Sequence, residues 1–419
     1  MRKACASLLL VWLAVGCNGS SSSESDAGTD AGCRPEARYR VPCGEADWTF
    51  HVGPYLGHTT TSSVAIGWET LEAGSTRVEY GLDASYGGEV QAEPGTMHQV
   101  EVEGLEQGQL YHYRACTDAR CTADLTFASA PGPDVPLRFA VYGDCQDRPE
   151  VHEQVVEQLL AAEPSLALVV GDTVGDGRNR EEFKSLYFDP ARRLAHHLPR
   201  YAAIGNHDRK DVEAVHYRDY NILPEDPDVP QAETSYSFVY GNAFFLVFDN
   251  TLDHYDLFFP PVEGIDPPLW AWMCEQAASE PARAAQWRFA FAHYPADSSC
   301  YGQDHEYGPP DSAMRAFVLP MLWENGFHAY FHGHMHCYER FEFDGHLVID
   351  TGGGGGTLED ESNCTDAGPS EARFHSCVYH GLIVDLGCDR AEVSARDVAG
   401  QVIDRVWILP DGSCEEPGQ

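Results

Sequence analysis

The sequence predicts an α/β unit that follows a smaller all-β sandwich. Three observations carry this. Residues 48–130 hold short alternating runs separated by turns, without a helical period. Past the linker Ala130-Pro131-Gly132-Pro133-Asp134-Val135-Pro136, apolar strands alternate with a helix-period stretch. Five of those strands run directly into Asp, Asn, Gln or His.

The first unit is read from Val64–Trp68, Thr76–Tyr80, His98–Val102 and Leu110–Arg114, the last following a turn at Glu106-Gln107-Gly108. Nothing in it carries chemistry, so its expected role is support or recognition. The second unit, residues 137–410, opens with the buried-strand run Arg138–Tyr142. Val151, Val155, Leu159 and Leu160 then fall at helical spacing. Further strands are expected at Leu166–Val170, Tyr201–Ile204, Phe244–Phe248, Arg288–Ala292 and His328–Phe331, with returning strands between Asp385 and Ile408.

Arg2 and Lys3 precede the apolar run Leu8–Val15, and Cys17 follows. Crossing a bilayer takes about 18 or more apolar residues, so residues 1–16 read as an export signal. The stretch Leu13-Ala14-Val15-Gly16-Cys17 resembles a bacterial lipoprotein signal, with Cys17 the lipidated first residue; the alternative is a secretory signal with an incidental cysteine. Residues 17–47 read as a flexible tether, because Ser20–Ser23 and the Glu, Ser, Asp, Ala, Gly and Thr of positions 24–32 have no apolar face to bury. The expected location is therefore an envelope-anchored or otherwise secreted or periplasmic one, with membrane contact only through Cys17.

Cysteine usage points the same way. Apart from Cys5 and Cys17 the chain has an even set, which in an exported protein suggests disulfides. Cys33/Cys43, Cys116/Cys121, Cys364/Cys377 and Cys388/Cys414 are close pairs, with connectivity left open. No C-x-x-C occurs, so a zinc ribbon has no support. The net charge is −39, which excludes binding nucleic acid or anionic lipid by bulk charge. A small anionic substrate stays allowed, since bound cations invert the field of one cleft.

The strand-end motifs are Gly143-Asp144-Cys145-Gln146, Gly171-Asp172, Gly205-Asn206-His207-Asp208, Ala292-His293-Tyr294-Pro295 and Gly333-His334-Met335-His336. Side chains at the carboxyl ends of strands project into the crevice where α/β proteins bind ligands. This mix of oxygen and imidazole donors suits zinc, iron or manganese. Any one motif is weak; five in order are a strong signal.

In these motifs the chain resembles the calcineurin-like metallophosphoesterases, and most closely their purple acid phosphatase branch. Gly333-His334-Met335-His336-Cys337-Tyr338-Glu339-Arg340 is similar to that branch's closing motif, and Gly53-Pro54-Tyr55-Leu56 and Val78-Glu79-Tyr80-Gly81 to its N-terminal fibronectin-like sandwich. The resemblance implies an α/β (α+β) metallophosphoesterase β-sandwich flanked by helices, preceded by the immunoglobulin/fibronectin-like sandwich, and a binuclear centre. Asp172 would bridge two metals, Asp144 and His336 would hold the first, and Asn206, His293 and His334 the second. His207 would bind phosphoryl oxygens or protonate the leaving group. A phosphate monoester would be hydrolysed with a metal-bound hydroxide as nucleophile. A phosphodiesterase or nucleotidase on the same site is the alternative, and a surface binding protein with a degenerate metal site is the rival from another class.

Two positions depart from the family pattern. Gly175 stands where the purple branch has its colour-giving Tyr, so a colourless protein is expected. Gln146 stands where the wider superfamily often has His; it either ligates or only hydrogen-bonds nearby. His305 is a substrate-facing candidate, with an ordinary loop histidine as the alternative. Asp208 and Arg209 are expected to cap or solvate their turn, and Arg148 either steers phosphate or is merely exposed. Cys145 and Cys337 would pair or be buried thiols. The glycines 352–356 lack the Lys-Ser/Thr of a P-loop and read as a flexible turn near the cleft.

Overall fold

The computed structural model describes residues 35, 39–43, 48–210, 213–226, 228–229, 234–251, 268–300, 314–364 and 372–417. The expected signal, Cys17 and most of the tether lie outside the described residues.

Six strands form the first sheet: β1 (Val52–Thr59), β2 (Ser63–Gly81), β3 (Gly88–Glu103), β4 (Leu110–Thr117), β5 (Arg120–Cys121) and β6 (Leu125–Ala128). The runs Val64–Trp68 and Thr76–Tyr80, read from sequence as separate, are one 19-residue strand. Its first part pairs with β1 and its second with β4, while β3 follows it along both. Phe50, Trp68, Tyr113 and Phe127 fill the core.

Residues after the linker build two seven-stranded mixed sheets. One contains β7 (Leu137–Tyr142), β8 (Leu166–Val169) and β9 (Arg200–Ala202), which are parallel, followed outward from β7 by the antiparallel β17 (His380–Leu386), β18 (Ala391–Asp397), β19 (Val402–Ile408) and β20 (Cys414–Glu415). The other has the order β10 (Tyr236–Tyr240), β11 (Ala243–Val247), β12 (Trp287–Phe291), β13 (Ala329–His332), β15 (His346–Thr351), β14 (Tyr338–Phe343) and β16 (Ala372–Ser376). The sheets pack face to face. Phe139 of β7 meets Phe245, Phe289 and Phe331 of β11, β12 and β13 with ring centroids 5.4–6.4 Å apart. Stacked sheets are expected about 10 Å apart, and aromatic rings from both faces fill such a gap.

Helices cover the outer faces. α1 (Pro149–Leu160) starts with Pro at its first turn and buries Val155, Leu159 and Leu160 of the predicted apolar stripe together with Val156, while Val151 is half-buried. It ends before Pro164; Glu163, at φ 59°, has already left the helical region. The short helices α2 (Arg180–Glu182), α3 (Arg192–His197) and α4 (Val215–Tyr220) follow, then α5 (Pro268–Ala277) and α6 (Glu280–Ala284) near β11, and α7 (Leu319–Glu324).

The small sheet is docked, not dangling. Tyr113 Oη donates to His196 O at 2.7 Å, Tyr220 Oη to Glu69 Oε2 at 2.6 Å, and Trp48 Nε1 to Asp189 Oδ1 at 2.6 Å. Arg180 completes the buried Glu69 pair at 2.9 Å.

Of the close cysteine pairs, Cys116–Cys121 forms, across the β4–β5 hairpin. Cys364 instead bonds Cys300, and Cys377 bonds Cys337, so the Cys364/Cys377 pairing and the Cys145/Cys337 pairing are both corrected. Sequence proximity misled because loops far apart in the chain converge here. Cys388 is disulfide-bonded while Cys414 keeps its thiol, so those two do not pair. Cys33, the expected partner of Cys43, lies outside the described residues. Cys145 is a buried thiol whose pKa burial pushes well up.

Candidate metal centre

The site is built on the seam between the two large sheets. β7, β8 and β9 run into Asp144, Asp172 and Asn206-His207; β12 and β13 run into His293 and His334-x-His336. Asp144, Asp172 and His334 all adopt positive φ (55°, 48° and 77°). Non-glycine residues seldom do so, and such strain clusters where a side chain must be re-aimed.

The donors converge. Asn206 Oδ1 lies 2.9 Å from His293 Nε2 and 3.1 Å from His334 Nδ1. Asp172 Oδ2 is 3.4 Å from His293 Nε2, and Asp172, His293 and His334 present ligand atoms all within 4.8 Å of one another. Nearby, His336 Nε2 is 3.6 Å from Asp144 Oδ1 and 3.1 Å from the Gln146 amide nitrogen. Gln146 is buried and its Oε1 has no hydrogen-bond partner. An orphaned buried acceptor beside an imidazole and a carboxylate fits a cation.

The histidines are oriented from behind. Nδ1–H of His293 donates to Val170 O at 2.9 Å, that of His336 to Thr357 O at 2.6 Å, and that of His207 to Gly175 O at 2.7 Å. Each bond fixes a tautomer that leaves Nε2 facing the site. His334 is the exception and turns Nδ1 inward, toward Asn206.

Charge tunes the same groups. Burial opposes a proton on His293, but Asp172 beside it, with Asp144, holds its pKa up at about 9. His336 is likewise opposed by burial and raised to about 9 by Asp144. Asp172 is held below the ordinary carboxylate range despite its burial, chiefly by His293, then by His207 and His334. These protons are what a cation would displace.

His207 sits at the rim. Its side chain is 33% exposed, and Nε2 is 4.0 Å from Asp172 Oδ2 while its backbone N–H donates to Asp172 Oδ1 at 2.8 Å. Of the candidates, His305 lies outside the described residues. Arg148 donates to Thr357 Oγ1 at 3.0 Å from the rim.

Several supports were not legible from sequence. Asp208 caps its own turn, accepting from Gly205 N at 2.9 Å, but does so fully buried, and it also accepts from Thr173 N and Oγ1 at 3.0 and 2.6 Å, so it ties the loops after β8 and β9 together. Burial and the neighbouring Asp172 push its pKa to about 6. Arg209 pairs with the buried Asp249. Asn250 Oδ1 accepts from the backbone N–H of His293 and Tyr294 at 3.2 and 3.0 Å, fixing the His293 loop. Asp249-Asn250 directly follow the apolar run Phe244–Phe248, so the strand-end signal that marked the candidate donors also marked them.

The glycines 352–356 are buried and hydrogen-bonded, which corrects the flexible turn expected there. Gly354 N donates to Gly143 O at 2.9 Å and Gly356 N to Asp144 O at 2.6 Å. A Cβ at Gly356 would lie 2.7 Å from the His336 ring, and one at Gly205 2.1 Å from Asp172 Oδ1. Bare backbone is what lets these loops close on the donors.

Residues 137–338 match the sequence profile of the calcineurin-like phosphoesterase family. Purple acid phosphatase 23 of Arabidopsis thaliana is 23% identical over 333 residues, 69% of each chain. Probable purple acid phosphatase 20 of the same plant is 23% identical over 408 residues, covering 89% of this chain and 92% of its own. Among solved structures, a purple acid phosphatase from yellow lupin (Lupinus luteus) seeds aligns with a TM-score of 0.70 at 16% identity, over 85% of this chain and 74% of its own. PhoD aligns with a TM-score of 0.64 at 12% identity, over 90% and 94%. The folds agree, and the strand-end motifs fall inside the matched residues. Residues 137–338 are thus a calcineurin-like phosphoesterase domain, which makes the chain a metallophosphoesterase, and over most of its length it is similar to purple acid phosphatases.

Proposed function

We propose that the chain is an exported phosphomonoesterase that works with two metal ions of the zinc, iron or manganese class. Asp144, Gln146 and His336 would hold the first, Asn206, His293 and His334 the second, and Asp172 both. When bound, the two ions supply Lewis acidity to the phosphoryl oxygens and to an attacking water. His207 carries the proton. Its Nδ1–H is committed to Gly175 O, so Nε2 is the atom that would donate to the leaving oxygen, a role worth about 10²–10⁴ in rate. Asp172 steadies that imidazole through the His207 backbone N–H.

The observation that carries this reading is the position of His207. It is a half-buried imidazole at the open edge of a closed donor set, within 4.0 Å of the candidate bridging carboxylate. The test is turnover of an aryl phosphate monoester by the metal-stripped chain, with zinc, manganese or iron restored, beside His207→Ala. Metal-dependent turnover that collapses in the variant supports the assignment. Silence on the monoester with turnover of a diester or nucleotide would move the substrate class, and silence on all would favour the binding-protein reading.

The disulfides support export, and Cys17 would anchor the chain to a membrane through residues 17–47. Cys17→Ser is expected to release it from the membrane fraction. Residues 48–130 would act as a fibronectin type III-like support for the domain at 137–410. With Gly175 in place of a ligating Tyr, the loaded protein is expected to show no tyrosinate-to-iron absorption.

A further inference from the structure

Behind the candidate centre, Cys300, Cys337, Cys364 and Cys377 bring four sulfurs to one point, every pair within 4.8 Å. They come from four separate segments. Cys300 follows Ser298-Ser299, Cys337 follows His336, and Cys364 and Cys377 follow the short turn Glu361–Asn363 and β16. In the structure they form two disulfides, Cys300–Cys364 and Cys337–Cys377. Yet Cys364 Sγ and Cys377 Sγ, of different bridges, are only 3.7 Å apart.

That spacing has a chemical meaning. Zinc–thiolate bonds of about 2.3 Å in tetrahedral geometry set neighbouring sulfurs about 3.8 Å apart. Cys364 and Cys377, of different bridges, already stand at that spacing, and no sulfur of one bridge is more than 4.8 Å from those of the other. Two of the residues, Cys300 and Cys337, are fully buried and two are half-buried, so the cluster has an inner wall and an outer approach. Ser299 Oγ lies 3.9 Å from Cys300 Sγ and donates its proton to Glu339 Oε1 at 2.5 Å. No two of these cysteines have the C-x-x-C spacing of a zinc ribbon, so the cluster carries no sequence motif.

We propose that Cys300, Cys337, Cys364 and Cys377 are a second, tetrathiolate metal site, which takes one soft divalent cation of the zinc class when the two bridges are reduced. The chemistry balances with a small dithiol as reductant. Each bridge gains two electrons and two protons from one dithiol, which closes to its own disulfide, leaving four thiols. The cation then forms four metal–sulfur bonds and releases four protons to solvent. Either state cross-links the same four segments, one of which carries His336. The chain could therefore hold its loops together in a reducing compartment, before the bridges form.

The test uses the full, unmutated chain under native conditions. It is reduced with excess dithiol, freed of reductant without air, and titrated with Cd²⁺. Two signals are read: thiolate-to-cadmium charge-transfer absorption, and the rate at which each cysteine is alkylated, mapped by peptide mass. The His/Asp/Asn centre gives neither signal, so failure here is distinct from failure of the phosphatase assignment. The expected result is absorption that saturates at one cadmium per chain, with alkylation of these four cysteines slowed about tenfold or more, because a metal-bound thiolate is withheld from the alkylating agent. Bridges that resist excess dithiol, open thiols without the absorption, or protection at other cysteines would each overturn the proposal.

Discussion

The two large sheets contribute unlike halves to the centre. The sheet of β7, β8 and β9 supplies oxygen and amide donors, Asp144, Gln146, Asp172 and Asn206. The sheet of β12 and β13 supplies imidazoles, His293, His334 and His336. Neither half is a site alone. The acids would repel one another, and the histidines, buried without them, would lose their protons to desolvation. Across the seam each half repairs the other: Asp144 accepts from the backbone N–H of His334, and Val170 O from His293. The centre is therefore a product of sheet-on-sheet packing, and weakening either half is expected to weaken both.

The largest expected break is on the oxygen side but outside the donor set. His207→Ala should lower kcat by about 10²–10⁴-fold while metal content, read by elemental analysis, stays the same. Loss of metal would make His207 part of the donor set instead. A smaller break tests the imidazole side. Asn250→Ala frees the loop that presents His293 and should cost about 10–100-fold in metal affinity or activity, measured by chelator competition. A change confined to thermal stability would count against its role as a positioning residue.

Acid should separate scaffold from site. Buried among α1, β7 and the Phe183–Phe188 turn, His152 has its pKa lowered by desolvation to about 4. An unfolded chain would bind that proton near pH 6.5, so stability is fully present above 6.5 and lost as pH falls toward 4. From pH 7 to 5 this single group should cost about 2 kcal/mol of unfolding free energy. Denaturant midpoints at both pH values, with His152→Gln as the comparison, check it; an unchanged pH slope in the variant would assign the loss elsewhere. The smallest effect is expected at Gln146. Gln146→Ala should weaken retention of one ion by about tenfold or less, read by stepwise metal release, whereas an unchanged profile would leave Gln146 a hydrogen-bonding neighbour of His336.

The oxygen half and the imidazole half were equally legible in the sequence, because each donor directly follows an apolar strand and strands of this kind announce themselves. What escaped was whatever depends on a third dimension. Asp208 looks like any polar turn residue until burial is known. Asn250 carries the same strand-end mark as the candidate donors, but an amide bracing a backbone has no motif of its own. The long β2 read as two strands because exposed Leu71 and Glu72 break its alternation midway. Among the described residues, nearness in the chain predicted the hairpin bridge Cys116–Cys121 and missed Cys300–Cys364 and Cys337–Cys377, whose partners follow loop convergence.

The buried turn of glycines beneath Asp144 and His336 has one more consequence, for descent. Selection there acts on the lack of any side chain. Alanine, the gentlest replacement elsewhere, would at Gly354 meet a carbonyl 2.2 Å away and at Gly356 an imidazole. Lineages that keep the activity should drift freely at Arg148 and in the exposed loops, yet show this stretch frozen. Lineages that have abandoned catalysis should be recognisable by the first methyl groups to appear in it.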